Sequence, residues 1–279
     1  MASATRHSTK LSNSRVLVLG GTSGIGFAVA SAALGEGAHV IISGSNPERL
    51  EHALSRIRDA FPDEDARRRI TGYTCDLSDP EKVEENVLAL LQAATSDGAV
   101  EAEKEPKSTL LDHIVFTAGN APTNLPTVQS ATVEQIKNAG NIRVLGGFMI
   151  AKHALQYMQV TSSSSITVTS GVASAKPSQG WAIAASMLGA VEGMTRGLAV
   201  DLAPIRVNGV VPGAVNTEMF SKAFPQQEVL NAVLNNYGKL TLVGHVAKPE
   251  DVAEAYIYLM KDHFCTGSLI HTNGGILLK

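Results

Sequence analysis

Seven residues, Gly20-Gly21-Thr22-Ser23-Gly24-Ile25-Gly26, have the composition and spacing to hold a pyrophosphate. They follow the apolar run Val16-Leu17-Val18-Leu19 and open an Ala-rich stretch from Phe27 to Leu34. On a strand–turn–helix path, Gly20 permits the tight turn, Gly24 lets the backbone approach phosphate, and Gly26 lets the helix lie close on its strand. The helix start, with Thr22, Ser23 and Ile25 around it, then offers unpaired N–H groups and a partial positive charge. A glycine motif alone is weak, because a strand–helix turn without chemistry fits it too.

A second group lies where the next apolar run ends. Ser43-Gly44-Ser45-Asn46-Pro47-Glu48-Arg49 holds hydroxyls, an amide and a guanidinium, with no acid at the strand end. A fold that selects NAD places an acid there for the ribose 2′-hydroxyl. Ser43, Ser45, Asn46 and Arg49 suit a 2′-phosphate instead, so NADP(H) is the expected cofactor. Asn46-Pro47 is also an ordinary helix entry, which Asn46 can serve at the same time.

Short apolar runs and helical patterns alternate along the chain. Expected strands are Val16–Leu19, Val40–Ser43, Ile70–Cys75, Ile114–Thr117, Ser165–Thr169, Arg206–Val211 and Ser268–Thr272. They are rich in β-branched residues and do not alternate in polarity, as strands buried on both faces should. Helices are expected at 24–36, 47–61, 80–94, 133–158, 182–202 and 249–261. Such alternation implies right-handed crossovers and one doubly wound parallel sheet with helices on both faces. Met1 to Ser14 is polar, and a disordered tail is expected over residues 1–13, with a single domain from 14 to 279. Thr95 to Thr109 reads as an exposed loop insertion, and 220–237, after Pro212-Gly213, as a helical flap over the site, within 213–240.

At 279 residues and 44 % hydrophobic, the chain can bury a sizeable core. A net charge of −3 without a basic run argues against nucleic acid. No apolar stretch reaches the roughly 20 residues that span a bilayer, so no membrane partner is expected. Cys75 and Cys265, the two cysteines, are isolated, which suits a reduced, cytoplasmic protein. The eight histidines form no metal-ligand spacing, and no metal is expected.

From about Ser14 to its C-terminus the chain resembles the short-chain dehydrogenase/reductase family, whose domain is Rossmann-type with about seven strands. The family's glycine motif reads Gly20 to Gly26, and its strand-end Asn-Asn-Ala-Gly reads Phe116-Thr117-Ala118-Gly119. Its serine strand reads Val168-Thr169-Ser170-Gly171, and its Pro-Gly turn reads Pro212-Gly213-Ala214-Val215-Asn216-Thr217. Gly193 to Ala203 and Ile205 to Asn208 are typical of it, and Asn273-Gly274-Gly275 resembles its terminal Asp-Gly-Gly. The resemblance implies that Asp76 and Leu77 lie at adenine, and that Ala118 and Gly119 line the cofactor site. It further implies that Pro212, Gly213, Val215 and Thr217 hold the nicotinamide amide and pyrophosphate.

The resemblance also exposes a gap. The family's catalytic Tyr and the Lys four residues later fall, in the register of Val191-Glu192-Gly193, on Ala184 and Leu188. No Tyr-x-x-x-Lys occurs anywhere in the chain. The family's helix Asn falls on Arg143, and of the usual four catalytic residues Ser170 alone remains. Losing a general acid costs about 10²–10⁴-fold. Arg143 can hold a negative charge electrostatically, and an iminium acceptor needs no proton in the hydride step. Two readings of Arg143 stand: a clamp on substrate charge, or a structural cation paired with a nearby acid. Trp181, the only tryptophan, is either a stacking wall for an aromatic substrate or a loop anchor. Ser178 and Gln179 reach toward substrate or are simply exposed loop polarity, and Ser170 meets substrate or ties the next turn.

A variant group of the family also lacks the Tyr and Lys and carries the Arg and a Pro-x-x-x-Trp loop, as in Pro177 to Trp181. Some fungal members reduce iminium-type alkaloid intermediates with NADPH and guide a pericyclic cyclisation. Those members carry an acid three positions before the Trp, where this chain has Ser178. The implied function is an NADPH-dependent reductase of a small, aromatic or alkaloid metabolite, with Arg143, Ser170, Ser178 and Trp181 at the reacting centre. A non-redox cyclase and an inactive NADP(H)-binding protein are the alternatives. Family analogy also implies a homodimer or homotetramer, with Gly146, Gly147, Ala151 and Ala154 opening a close helical seam.

Overall fold

The computed structural model describes residues 10–96, 109–120 and 125–279. Seven strands form one sheet: β1 (Arg15–Leu19), β2 (His39–Gly44), β3 (Ile70–Thr74), β4 (His113–Phe116), β5 (Ser165–Thr169), β6 (Arg206–Pro212) and β7 (Leu269–Thr272). Their order is β3-β2-β1-β4-β5-β6-β7, and every pairing is parallel. β1, β4, β5 and β6 are almost wholly buried; Val16–Leu19 and Ile114–Phe116 are continuous apolar runs, whereas β5 and β6 also bury Ser165, Thr167, Thr169, Arg206 and Asn208. The order reverses between β1 and β4. Chain leaving those two strands diverges there, opening a crevice at their C-terminal ends.

The helices are α1 (Gly24–Gly35), α2 (Pro47–Ala60), α3 (Glu64–Arg68), α4 (Val83–Thr95), α5 (Val133–Asn138), α6 (Gly146–Tyr157), α7 (Ala182–Asp201), α8 (Glu218–Ala223), α9 (Gln227–Lys239) and α10 (Pro249–Lys261). One core packs α1, α2 and α10 on one sheet face, around Val18, Val29, Leu34, Ile42 and Tyr256. The other packs α4, α6 and α7 on the opposite face, around Leu17, Leu90, Leu111, Ile150 and Val191. The expected single-domain sheet of seven parallel strands is therefore what the chain forms.

Three expectations need correction. Residues 10–13 do not belong to a loose tail: Leu11 is fully buried, Asn13 N–H donates to Gly37 O, and Lys10 Nζ donates to Lys261 O. Most of the expected tail and of the 95–109 loop lie outside the described residues. The helix expected over 133–158 is broken into α5, a π turn at Asn141–Leu145, and α6. Gly140 O accepts from both Val144 and Leu145 N–H, which widens the helix there. Gly146, Gly147, Ala151 and Ala154 do not open an outer seam; they are buried, with Gly146 against Phe116 and Gly147 against Met194.

Candidate active site

A cavity of about 540 Å³ occupies the crevice at the β1/β4 switch point. Its floor is the glycine loop. Gly20 and Gly21 N–H both donate to Ser43 O, at 2.9 and 3.1 Å, so the loop is tied to the end of β2. A Cβ on Gly26 would strike Gly20 O and the Thr117 side chain, so only glycine lets α1 lie this close to β1 and β4. The Ile25 and Gly26 N–H groups have no partner among the described residues, nor do the hydroxyls of Thr22, Ser23, Ser45 and Thr217. Unpartnered donors around a helix start fit a phosphate-bearing dinucleotide.

Nearly all the sequence-predicted cofactor residues line this cavity: Gly20, Thr22, Ser23, Gly24, Ile25, Ser43, Ser45, Arg49, Asp76, Leu77, Ala118, Gly119, Pro212, Gly213, Val215 and Thr217. Asn46 lies outside the lining. Its Oδ1 accepts from Arg49 N–H at 2.8 Å and caps α2, which leaves that oxygen committed to the helix. Cys75 also borders the cavity, but burial, with Asp76 beside it, pushes its thiol up to about 12, so it stays a thiol and not a nucleophile.

Arg143 sits in the π turn with its guanidinium against Gly119, where any Cβ would collide with it. Nη1 donates to Thr169 O at 3.1 Å. Nε and Nη2 have no protein partner among the described residues, and no carboxylate pairs with the group. Burial lowers its pKa from the ordinary value, while nearby Tyr256 opposes that shift. An arginine nevertheless keeps its charge in a protein. The reading as a structural cation paired with an acid is therefore not what the geometry gives. Thr169 is the hub behind it: its Oγ1 donates to Phe116 O at 2.8 Å and lies 2.7 Å from the Tyr256 hydroxyl.

Ser170 borders the cavity, but its hydroxyl is shared between Leu188 O at 3.1 Å and Glu192 Oε1 at 3.0 Å on α7. Its proton is committed to that helix. Trp181 precedes α7 and lines the cavity, half-buried, so it is a wall of the site and not a core anchor. Ser178 is exposed and absent from the lining; its carbonyl accepts the Trp181 N–H at 3.1 Å. Leu188 lines the cavity, and Ala184, one turn earlier on α7, is buried. The far wall comes from the flap, where Met219, Phe220, Ala223 and Phe224 of α8 and its exit meet Tyr237 of α9. Phe220 lies 6.5 Å from Phe224 and edge-on to Tyr237 at 5.7 Å. Sequence reasoning marked this segment as a flap without singling out those aromatics. The Phe220/Phe224 i,i+4 spacing was the available signal.

Residues 7–279 match the family model for an SDR-like Rossmann domain. The chain is 40% identical over 279 residues to the short-chain dehydrogenase/reductase malC of Malbranchea aurantiaca, covering 100% of both chains. It is 38% identical over 280 residues to the short-chain dehydrogenase/reductase fsr5 of Gibberella fujikuroi, again over 100% of both. Among solved structures, the MalC reductase/Diels-Alderase from Malbranchea aurantiaca superposes with a TM-score of 0.88, over 98% of this chain and 100% of that one. The chain belongs to the short-chain dehydrogenase/reductase family. Relatives over its full length are named dehydrogenase/reductases, which places it among oxidoreductases. Among the described residues no helix is long and apolar enough to cross a membrane, and no group of side chains could hold a metal.

Proposed function

We propose that this chain is an NADP(H)-dependent reductase of an apolar, aromatic-bearing metabolite, acting through Arg143 in place of a tyrosine acid. The observation that carries the reading is the Arg143 guanidinium, held at the cavity wall with spare donors and no acid among the described residues to neutralise it. When bound, the cofactor supplies hydride. The chain does the rest. The N–H groups of Ile25 and Gly26 and the Thr217 hydroxyl hold phosphates, while Ser45 and Arg49 meet a 2′-phosphate. Arg143 stabilises negative charge on a substrate oxygen without transferring a proton. For a C=N⁺ acceptor no proton is needed, and Leu188 removes the ammonium that would repel the cation. Trp181, Phe220, Phe224 and Tyr237 supply flat, apolar walls.

Fluorescence titration of NADPH and NADH, with Trp181 as reporter, tests the cofactor. NADPH should bind more tightly, and Arg49→Ala should narrow the gap; equal affinities would remove the case for a 2′-phosphate site. Single-turnover absorbance with a cyclic iminium and an aromatic ketone then tests the chemistry. Tight NADPH binding with no hydride consumed from either would turn the assignment toward a non-redox cyclase. That second reading is supported by the relative whose name joins reductase with Diels-Alderase.

A further inference from the structure

We propose that Glu218 is a placeholder anion: its carboxylate occupies the glycine loop until a dinucleotide displaces it, and the displacement releases the flap helix that it begins. The inference rests on the nucleotide reading above. Gly24 N–H donates to Glu218 Oε2 at 2.8 Å, joining the loop to the first residue of α8. The other carboxylate oxygen stands 3.5 Å from Arg56 Nη1, and that guanidinium lies 4.3 Å over the Phe27 ring of α1. One carboxylate thus meets two groups that seek an anion, at the helix start where phosphate belongs. At the same helix start the Ile25 and Gly26 N–H groups, and the hydroxyl of the adjacent Thr217, have no partner among the described residues.

A pyrophosphate and this carboxylate cannot share the loop comfortably, because like charges at such range repel in a partly buried site. Glu218 must swing out, which breaks its bond to the loop and removes what ties the first turn of α8 to Gly24. Thr217, the residue before Glu218, stands beside Gly24, with its Cγ2 3.0 Å from where a Gly24 Cβ would be. Met219 and Phe220, next in the chain, line the cavity, and Phe220 packs on Phe224 and Tyr237. Movement of the first turn of α8 therefore reaches the substrate wall. The device favours ordered binding, with dinucleotide before substrate.

The test is calorimetric titration of NADP⁺, NADPH and inorganic pyrophosphate into the wild-type chain, Glu218→Gln and Glu228→Gln. Glu228 is exposed on α9, so its removal changes the charge of the flap without touching the loop. Glu218→Gln should tighten all three ligands by about three- to tenfold, with Glu228→Gln within about twofold of wild type. Hydrogen exchange over Glu218–Ala223 should rise when NADP⁺ is added to wild type, and should already be raised in Glu218→Gln without it. Unchanged or weaker binding by Glu218→Gln overturns the proposal and makes the contact a strap that holds the flap shut. An equal gain in Glu228→Gln also overturns it, by assigning the effect to net charge. If neither wild type nor variants bind NADP⁺ or NADPH, the nucleotide reading itself fails and takes this inference with it.

Discussion

Two arginines, one buried and one half-buried, compared atom by atom, show which has chemistry left to do. Arg206 donates to five carbonyl oxygens: those of Ser162, Ser163, Leu259, Met260 and Cys265. Two of these are end carbonyls of α10, so the cation also meets the negative end of a helix. Protein oxygens replace its lost water almost completely. Arg143 is half-buried, and burial lowers the pKa of both, yet among the described residues Thr169 O is its one protein acceptor. A half-buried cation whose idle donors face a cavity is placed to meet an anion there. Arg143→Met should therefore lower the single-turnover rate by about 10²–10³-fold while leaving folding and NADPH affinity nearly unchanged. Gly119→Ala should reproduce that loss from the opposite side, because its methyl would displace the guanidinium. It should also destabilise the fold by about 1–3 kcal/mol, read from urea unfolding. A Gly119→Ala enzyme with the wild-type rate would show that the guanidinium position is irrelevant to the chemistry.

At the scale of elements, Asn46 separates a structural role from a binding role. Its amide oxygen caps α2, and the residue stands outside the cavity lining. Asn46→Ala should cost about 0.5–2 kcal/mol in unfolding free energy and shift NADPH affinity less than Arg49→Ala does. A larger affinity loss than Arg49→Ala would return Asn46 to the phosphate site. β1 and β4 were legible because Val16–Leu19 and Ile114–Phe116 are unbroken apolar runs, the pattern of strands buried on both faces. The glycine loop was legible because close backbone approach admits no other residue at Gly26. The π turn was not. Apolar residues run on through Ile142, Val144 and Leu145, and a widened turn leaves no mark in such a pattern. Yet that turn carries Arg143 beside the strand ends. Nor could the sequence say which way Ser178 or Phe220 points, since the path of a loop or flap sets that direction and local periodicity does not.

Across the whole molecule, the two cores meet at a sheet whose interior holds one titratable ring with a large consequence. His113 on β4 is buried, and its Nδ1 lies 2.9 Å from Ser165 Oγ on the neighbouring strand. Burial, with Arg206 and His263 nearby, pushes its pKa down to about 3. The unfolded chain takes up this proton near pH 6.5, whereas the folded chain refuses it until far lower pH. Above that range the neutral ring carries no penalty. As pH falls below it the unfolded state binds more protons, so the histidine makes stability drop by up to about 1.4 kcal/mol per pH unit. The exposed Glu84, whose pKa is lowered by bonds from Lys152 and His153, acts in the same direction at lower pH. The half-buried Asp112, raised by desolvation, acts oppositely. His113→Asn can keep a hydrogen bond to Ser165 while removing the titration. It should lower stability at neutral pH and flatten the dependence between about pH 6.5 and 5, where carboxylates contribute least. Urea unfolding of both chains across that interval measures the difference in slope. Parallel slopes would mean that the acid sensitivity of the fold lies outside its central sheet.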